Sequence, residues 1–206
     1  MQNSVRDAWC TFNRSLEGWI SWMYLDVRAL VTTGMGNLID PMATALGLPW
    51  VDADGVPATP AAIAAEWQAT KANLALAHQG AQAAGQVTAL RLGDADITAL
   101  VLAKLDQNAA TLKSYPAFAT FEDWPADAQL GLLSMAWAMG PGFGPTFPHF
   151  SQAISAGDFT TAAGDCEMNA SANPGLVRRN AANRQAFLYA ASATDPAVLQ
   201  SAVPPH

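Results

Sequence analysis

Glu17 and Asp26 are separated by eight residues, Thr32 follows five residues further on, and Gly34-Met-Gly36 comes directly after. Cutting a sugar–sugar bond needs two carboxyl groups in different settings. One is protonated and donates to the leaving oxygen; the other is ionised and activates water or stabilises the positive sugar ring. A hydroxyl can both donate and accept, so Thr32 has the chemistry to place a water beside Asp26. A separation of about 6.5–9.5 Å between the carboxyls would favour inversion and about 5–5.5 Å retention, a choice the spacing leaves open. An acid of this kind works best in an apolar setting, and Trp19, Ile20 and Trp22 lie next to it in sequence.

The elements that must position these groups can be read from periodicity. Residues 3–16 read as a helix, with Val5, Trp9, Phe12 and Leu16 recurring at three- and four-residue steps. Glu17-Gly18 ends it, with glycine at the C-terminal position. Residues 19–26 are rich in aromatic and branched side chains and read as a strand, followed by short strands over 30–33 and 37–39. The carboxyls are thus expected where a helix passes into a small antiparallel sheet.

Residues 41–60 read as a loop containing an Asp52-x-Asp54-Gly55 turn. That turn lacks the glutamate of a calcium loop, since Ile63 stands at the twelfth position. Thr59-Pro60 opens a helix expected to run to about 85. Asp96 caps another, to 113. A loop over 115–121 precedes a strongly apolar helix over 125–139, which Pro141 and Gly142 stop. Shorter helices are expected over 147–155 and 158–168, and a last one over 175–193, before a frayed tail over 201–206. No internal repeat is visible.

The bulk numbers fit this picture. The chain has 206 residues, of which 51% are hydrophobic and 13% charged, enough for a sizeable core in one domain or two lobes. The net charge of −7 gives no basic field for nucleic acid, and no nucleic-acid partner is expected. Cys10 and Cys166 make no disulfide framework. Buried thiols are the default reading, and a bridge between them stays open. His78, His149 and His206 have no metal-ligand spacing, so neither a metal nor a cofactor is expected. No apolar run is long enough for stable membrane insertion, and residues 1–21 lack a charged segment followed by an apolar one. The chain is expected to be made in the cytoplasm without a signal peptide. Of the seven tryptophans, Trp9, Trp67 and Trp137 lie on apolar helix faces and read as core. Trp22 and Trp50 are the candidates for stacking on a sugar.

The Glu17, Asp26 and Thr32 spacing, with Gly34 and Gly36 in register, resembles the catalytic signature of the phage-type lysozymes, glycoside hydrolase family 24. Three later segments resemble the same family, in its order. Residues 129–140 look like its central buried helix, residues 154–163 like its Gly-Asp-aromatic helix start, and residues 174–179 like its Gly-Leu-x-x-Arg segment. The resemblance covers roughly residues 3–43 and 124–190; residues 44–123 are unmatched and read as an elaboration. It implies a lysozyme-like α+β fold, mainly helical. A small antiparallel sheet lobe would span about 18–58, a larger helical lobe about 1–17 and 59–195, and a peptidoglycan groove would lie between them.

The resemblance further implies muramidase activity, cleaving between N-acetylmuramic acid and N-acetylglucosamine. Glu17 would be the acid, with Asp26 and Thr32 acting on water. Gly34, Asn37, Arg178 and Arg179 would be substrate-binding, and one of the two arginines would pair with Glu17. Three positions depart from the family pattern: Asn37 replaces a common histidine, Ala138 a common amide, and Asn183 a common glutamate.

The expected partner is a peptidoglycan glycan strand, reached in the periplasm or wall after release or delivery. The setting is a phage endolysin or an antibacterial effector; an effector would have an immunity protein as a further partner. The chain is expected to be a monomer. Other readings are a chitin or chitosan glycosidase, a lytic transglycosylase that needs no water-activating aspartate, and a wall-binding or structural protein that kept the fold without catalysis.

Overall fold

The structure, a computed structural model, describes residues 1–171 and 173–201. In chain order its elements are α1 (Asn3–Glu17), β1 (Ile20–Leu25), β2 (Val31–Gly34), β3 (Asn37–Leu38), α2 (Met42–Leu46), α3 (Pro60–Ala72), α4 (Ala81–Gly85), α5 (Asp94–Lys113), α6 (Ala126–Met139), α7 (Pro148–Ser155), α8 (Phe159–Asp165) and α9 (Gly175–Ala191). Single 3-10 turns occupy Leu74–His78, Pro116–Phe118, Phe121–Asp123 and Gly144–Thr146. The fold is α+β and mainly helical, with one antiparallel sheet in the order β1-β2-β3.

The chain forms two compact units, residues 17–101 and residues 1–16 with 102 onward. This corrects the expected lobe boundary: residues 59–101 belong with the sheet. Hydrogen bonds within the unit explain why. Trp67 Nε1 donates to Ile39 O at 2.9 Å, and Trp22 Nε1 to Ala81 O at 2.7 Å. Leu92 N donates to Ser21 O at 2.8 Å, while both Glu66 carboxylate oxygens accept from the Leu90 N–H. The part of the unmatched segment that lies in this unit is therefore built onto β1 and onto Ile39, directly after β3. Trp67, expected in the core, is only half-buried.

Two further expectations change. The single helix over 59–85 is three pieces, α3, a 3-10 turn and α4, interrupted at Asn73 (ψ 72°) and at Gly80 (φ 79°). Thr59 does cap α3, accepting from Ala62 N. The presumed loop after residue 41 contains the short helix α2. Asp52 closes its expected turn by accepting from Asp54 N and Val56 N.

In the helical unit α6 is the central element. Every residue from Ala126 to Trp137 is buried, as an all-round apolar helix demands. Asp127 and Gln129 find backbone partners. Asp127 accepts from Gln200 N and Ser201 N, and Gln129 Nε2 donates to Phe121 O and Trp124 O. Ser201 is thus anchored rather than frayed; residues 202–206, including His206, lie outside the described residues. Gly131 lets α9 approach, because a Cβ there would stand 2.9 Å from the Phe187 ring. Phe118, Phe121, Trp124, Phe143, Phe150 and Phe187 pack around it in tilted and edge-on pairs.

Cys10 and Cys166 are both free thiols. Burial pushes the Cys166 thiol up to about 11, which keeps it protonated and inert. Asn183, where the family pattern has glutamate, is fully buried, and its amide has no hydrogen-bond partner among the described residues. No described helix is long and apolar enough to cross a membrane.

Candidate active site

β1 and β2 pair with Tyr24 opposite Thr32 and Leu25 opposite Val31. Directly opposed residues share one face of a sheet, so Tyr24 and Thr32 are side by side. Asp26 follows directly after β1, in the turn, and its carboxylate is close enough to act on Tyr24. Glu17 arrives as the last residue of α1. Gly18, at φ 82°, turns the chain into β1. Glu17 Oε2 lies 3.7 Å from where a Cβ on Gly36 would stand, so the Gly36 backbone runs against the carboxylate.

Tyr24 is the group these elements share. Burial holds its phenol well above the usual range, and the Glu17 and Asp26 carboxylates push it further up. The Gly36 N–H donates to its oxygen and opposes the shift. One protonated phenol thus stands in the field of both carboxylates. Because folding favours the protonated form, the stability Tyr24 contributes is complete below the unfolded phenol value of about 10 and is lost as pH climbs beyond it. In denaturant unfolding at rising pH, Tyr24→Phe should therefore lose stability less steeply than wild type above pH about 10. Equal slopes would contradict this placement of the phenol.

Asp26 closes the β1–β2 turn. Its Oδ1 accepts from Arg28 N at 2.8 Å and Leu30 N at 2.9 Å, and its backbone N–H donates to Leu30 O at 3.0 Å. Thr32 is only 3% exposed, and its hydroxyl donates to Leu30 O at 3.1 Å. With the proton engaged there, Thr32 can only accept from a water, which narrows the two-way role expected of it.

The other expected site residues divide. Asn37 is buried and acts as a tie: its Oδ1 accepts from Met35 N at 3.1 Å and its Nδ2 donates to Leu100 O at 3.3 Å. Gly34, at φ 63°, makes room for it, since a Cβ would stand 2.8 Å from Asn37 Oδ1. Gly34 and Asn37, the expected substrate contacts, thus both have structural roles at the β2–β3 turn. Trp22 is half-buried against Gly85, where a Cβ would stand 2.6 Å from the indole, and the Arg91 guanidinium lies 5.3 Å from the ring. Packing thus accounts for Trp22. Trp50 is 1% exposed and donates to Ala45 O, so it cannot present a face to a sugar.

In the helical unit, Arg178 is exposed and its Nη1 donates to Ser15 O at 3.4 Å. Arg179 is 2% exposed. Its Nη1 donates to Ser134 Oγ at 3.0 Å and its Nη2 to Asn13 Oδ1 at 3.0 Å, which makes it part of the packed interior rather than a surface contact for substrate. Ala138 is half-buried near the end of α6.

No protein-family model, curated protein or solved structure matches the chain. The likeness to the phage-type lysozymes therefore rests on the motif residues themselves. Tyr24 escaped the sequence reading, although a signal existed: it stands two residues before Asp26 and, once the hairpin register is drawn, directly opposite Thr32. No group of three or more metal-ligating side chains occurs among the described residues.

Proposed function

We propose that this protein is a lysozyme-like glycoside hydrolase that cleaves peptidoglycan between N-acetylmuramic acid and N-acetylglucosamine. The observation that carries the reading is the convergence of Glu17 and Asp26 on the protected phenol of Tyr24. Two carboxyls arriving from a helix end and a hairpin turn, both near Tyr24, offer an acid and a base. Glu17 is exposed, so bound sugar provides the apolar cover that favours proton donation. Asp26 has Oδ1 fixed by two backbone amides, which orients Oδ2 toward a water or the sugar ring. Thr32 accepts from that water. Tyr24 stays neutral beside both carboxylates.

The test is turbidity clearance of purified cell wall. Wild type should clear it, and Asp26→Asn should slow clearing by about 10²–10⁴-fold, the range for a lost acid–base group. Failure of wild type to clear any wall preparation sinks the proposal.

The burial of Thr32 favours one second reading. A hydroxyl this enclosed is poorly placed to deliver bulk water, which suits a lytic transglycosylase that closes an anhydro ring instead. In that case Asp26→Asn would retain activity and the products would carry anhydro ends.

A further inference from the structure

Lys71, on α3, lies in the segment that the lysozyme resemblance does not cover. Its Nζ donates to Ala29 O at 2.9 Å and to Asp40 Oδ2 at 2.5 Å. Asp40 Oδ2 also accepts from Val31 N at 3.3 Å. The cation and its partner therefore grip both sides of the turn that ends in β2.

The peptide between Ala29 and Leu30 is the point of interest. Its carbonyl accepts from Lys71, while its N–H donates to Asp26 Oδ1. A trans peptide is planar, with C=O and N–H pointing opposite ways, so holding the oxygen aims the N–H. A cation on the oxygen also polarises the amide and strengthens its donor. Leu30 then passes the constraint on, because its own carbonyl accepts from Thr32 Oγ1 and from Asp26 N. Ala29 has φ 57°, the one positive value on a non-glycine residue among those described. Such a conformation costs about 1–3 kcal/mol and persists only where surroundings over-determine it. Lys71 is part of what holds it.

We propose that Lys71 is a positioning residue for glycoside cleavage, fixing Asp26 and Thr32 through the Ala29–Leu30 peptide and the Asp40 carboxylate. The proposal rests on the hydrolase reading for its catalytic consequence, but the clamp itself can be measured without activity. It also gives part of the unmatched segment over 44–123 a purpose: α3 supplies a brace for the catalytic turn.

The experiment compares Lys71→Met, Lys71→Arg and Asp40→Asn in the full chain. Two quantities are read: amide hydrogen exchange at Leu30, and kcat and KM on soluble peptidoglycan fragments. Lys71→Met should speed Leu30 exchange and lower kcat about tenfold or more, with KM within about twofold. Lys71→Arg, which keeps the cation and donors, should restore kcat to within about threefold. In an Asp26→Asn background Lys71→Met should cause a clearly smaller further loss, because Lys71 acts largely through Asp26.

An unchanged Leu30 exchange rate in Lys71→Met overturns the clamp, as does an equal further loss in the Asp26→Asn background. Should Lys71→Met fail to fold, Asp40→Asn carries the same two readouts. If wild type cleaves nothing, the hydrolase reading fails, while Leu30 exchange still decides whether the clamp exists.

Discussion

Under the proposed hydrolase function, Glu17→Gln should leave the fold intact and slow wall lysis by about 10²–10⁴-fold, the usual contribution of a general acid. The amide keeps the size of the carboxyl but has no proton to give the leaving oxygen. Glu17 is exposed and ends α1, and glutamine keeps its volume, so the substitution opens no cavity and stability should fall far less than activity. This separation of activity from stability is the informative part. The variant should still unfold cooperatively in denaturant, with lysis measured on the same preparation. A variant that clears wall as fast as wild type removes Glu17 from the mechanism.

The second large effect is on stability. Arg179→Ala should destabilise the chain by about 3 kcal/mol or more, because charge-assisted hydrogen bonds contribute about 1.5–3 kcal/mol each and a side chain of this size leaves a void. Arg179 is 2% exposed and donates to Ser134 O, Ser134 Oγ and Asn13 Oδ1. Its removal takes the donor from Ser134 Oγ and Asn13 Oδ1 in the buried interior. The neighbouring Arg178 is the control. It is exposed with one long bond to Ser15 O, so Arg178→Ala should change stability by no more than about 0.5 kcal/mol. Denaturant unfolding of the two variants checks the contrast, and equal effects would contradict the placement of Arg179 in the packed interior.

Much of the architecture around the carboxyls was legible because it depends on local chemistry. Gly18 stops α1, Thr59 and Pro60 start α3, and Asp158 caps α8 by accepting from Thr161 N. The three strands follow from aromatic and branched residues between turn formers. What failed depends on which element covers which. Trp50 and Asn37 have nothing in their own neighbourhood to say that α2 and α5 supply Ala45 O and Leu100 O as their partners. The break of the 59–85 helix was hidden because its alanines favour helix while one glycine and one asparagine are tolerated singly.

Glu17, Asp26 and Thr32 could be singled out by spacing, but their surroundings could not. Tyr24 enters through strand register, and Lys71 through a contact spanning 42 residues to Ala29. Both are relations across the fold rather than along the chain, beyond the reach of any short pattern. The same holds for the hydroxyl of Thr32. Its type suits a water-holding group, yet its proton is engaged by a carbonyl two residues away.

The most direct measurement is mass spectrometry of the fragments released from purified peptidoglycan by wild type and by Glu17→Gln. The hydrolase account predicts fragments ending in a reducing N-acetylmuramic acid from wild type and almost none from the variant. Anhydro ends, cleavage on the other side of the sugar, or equal release by Glu17→Gln would contradict it.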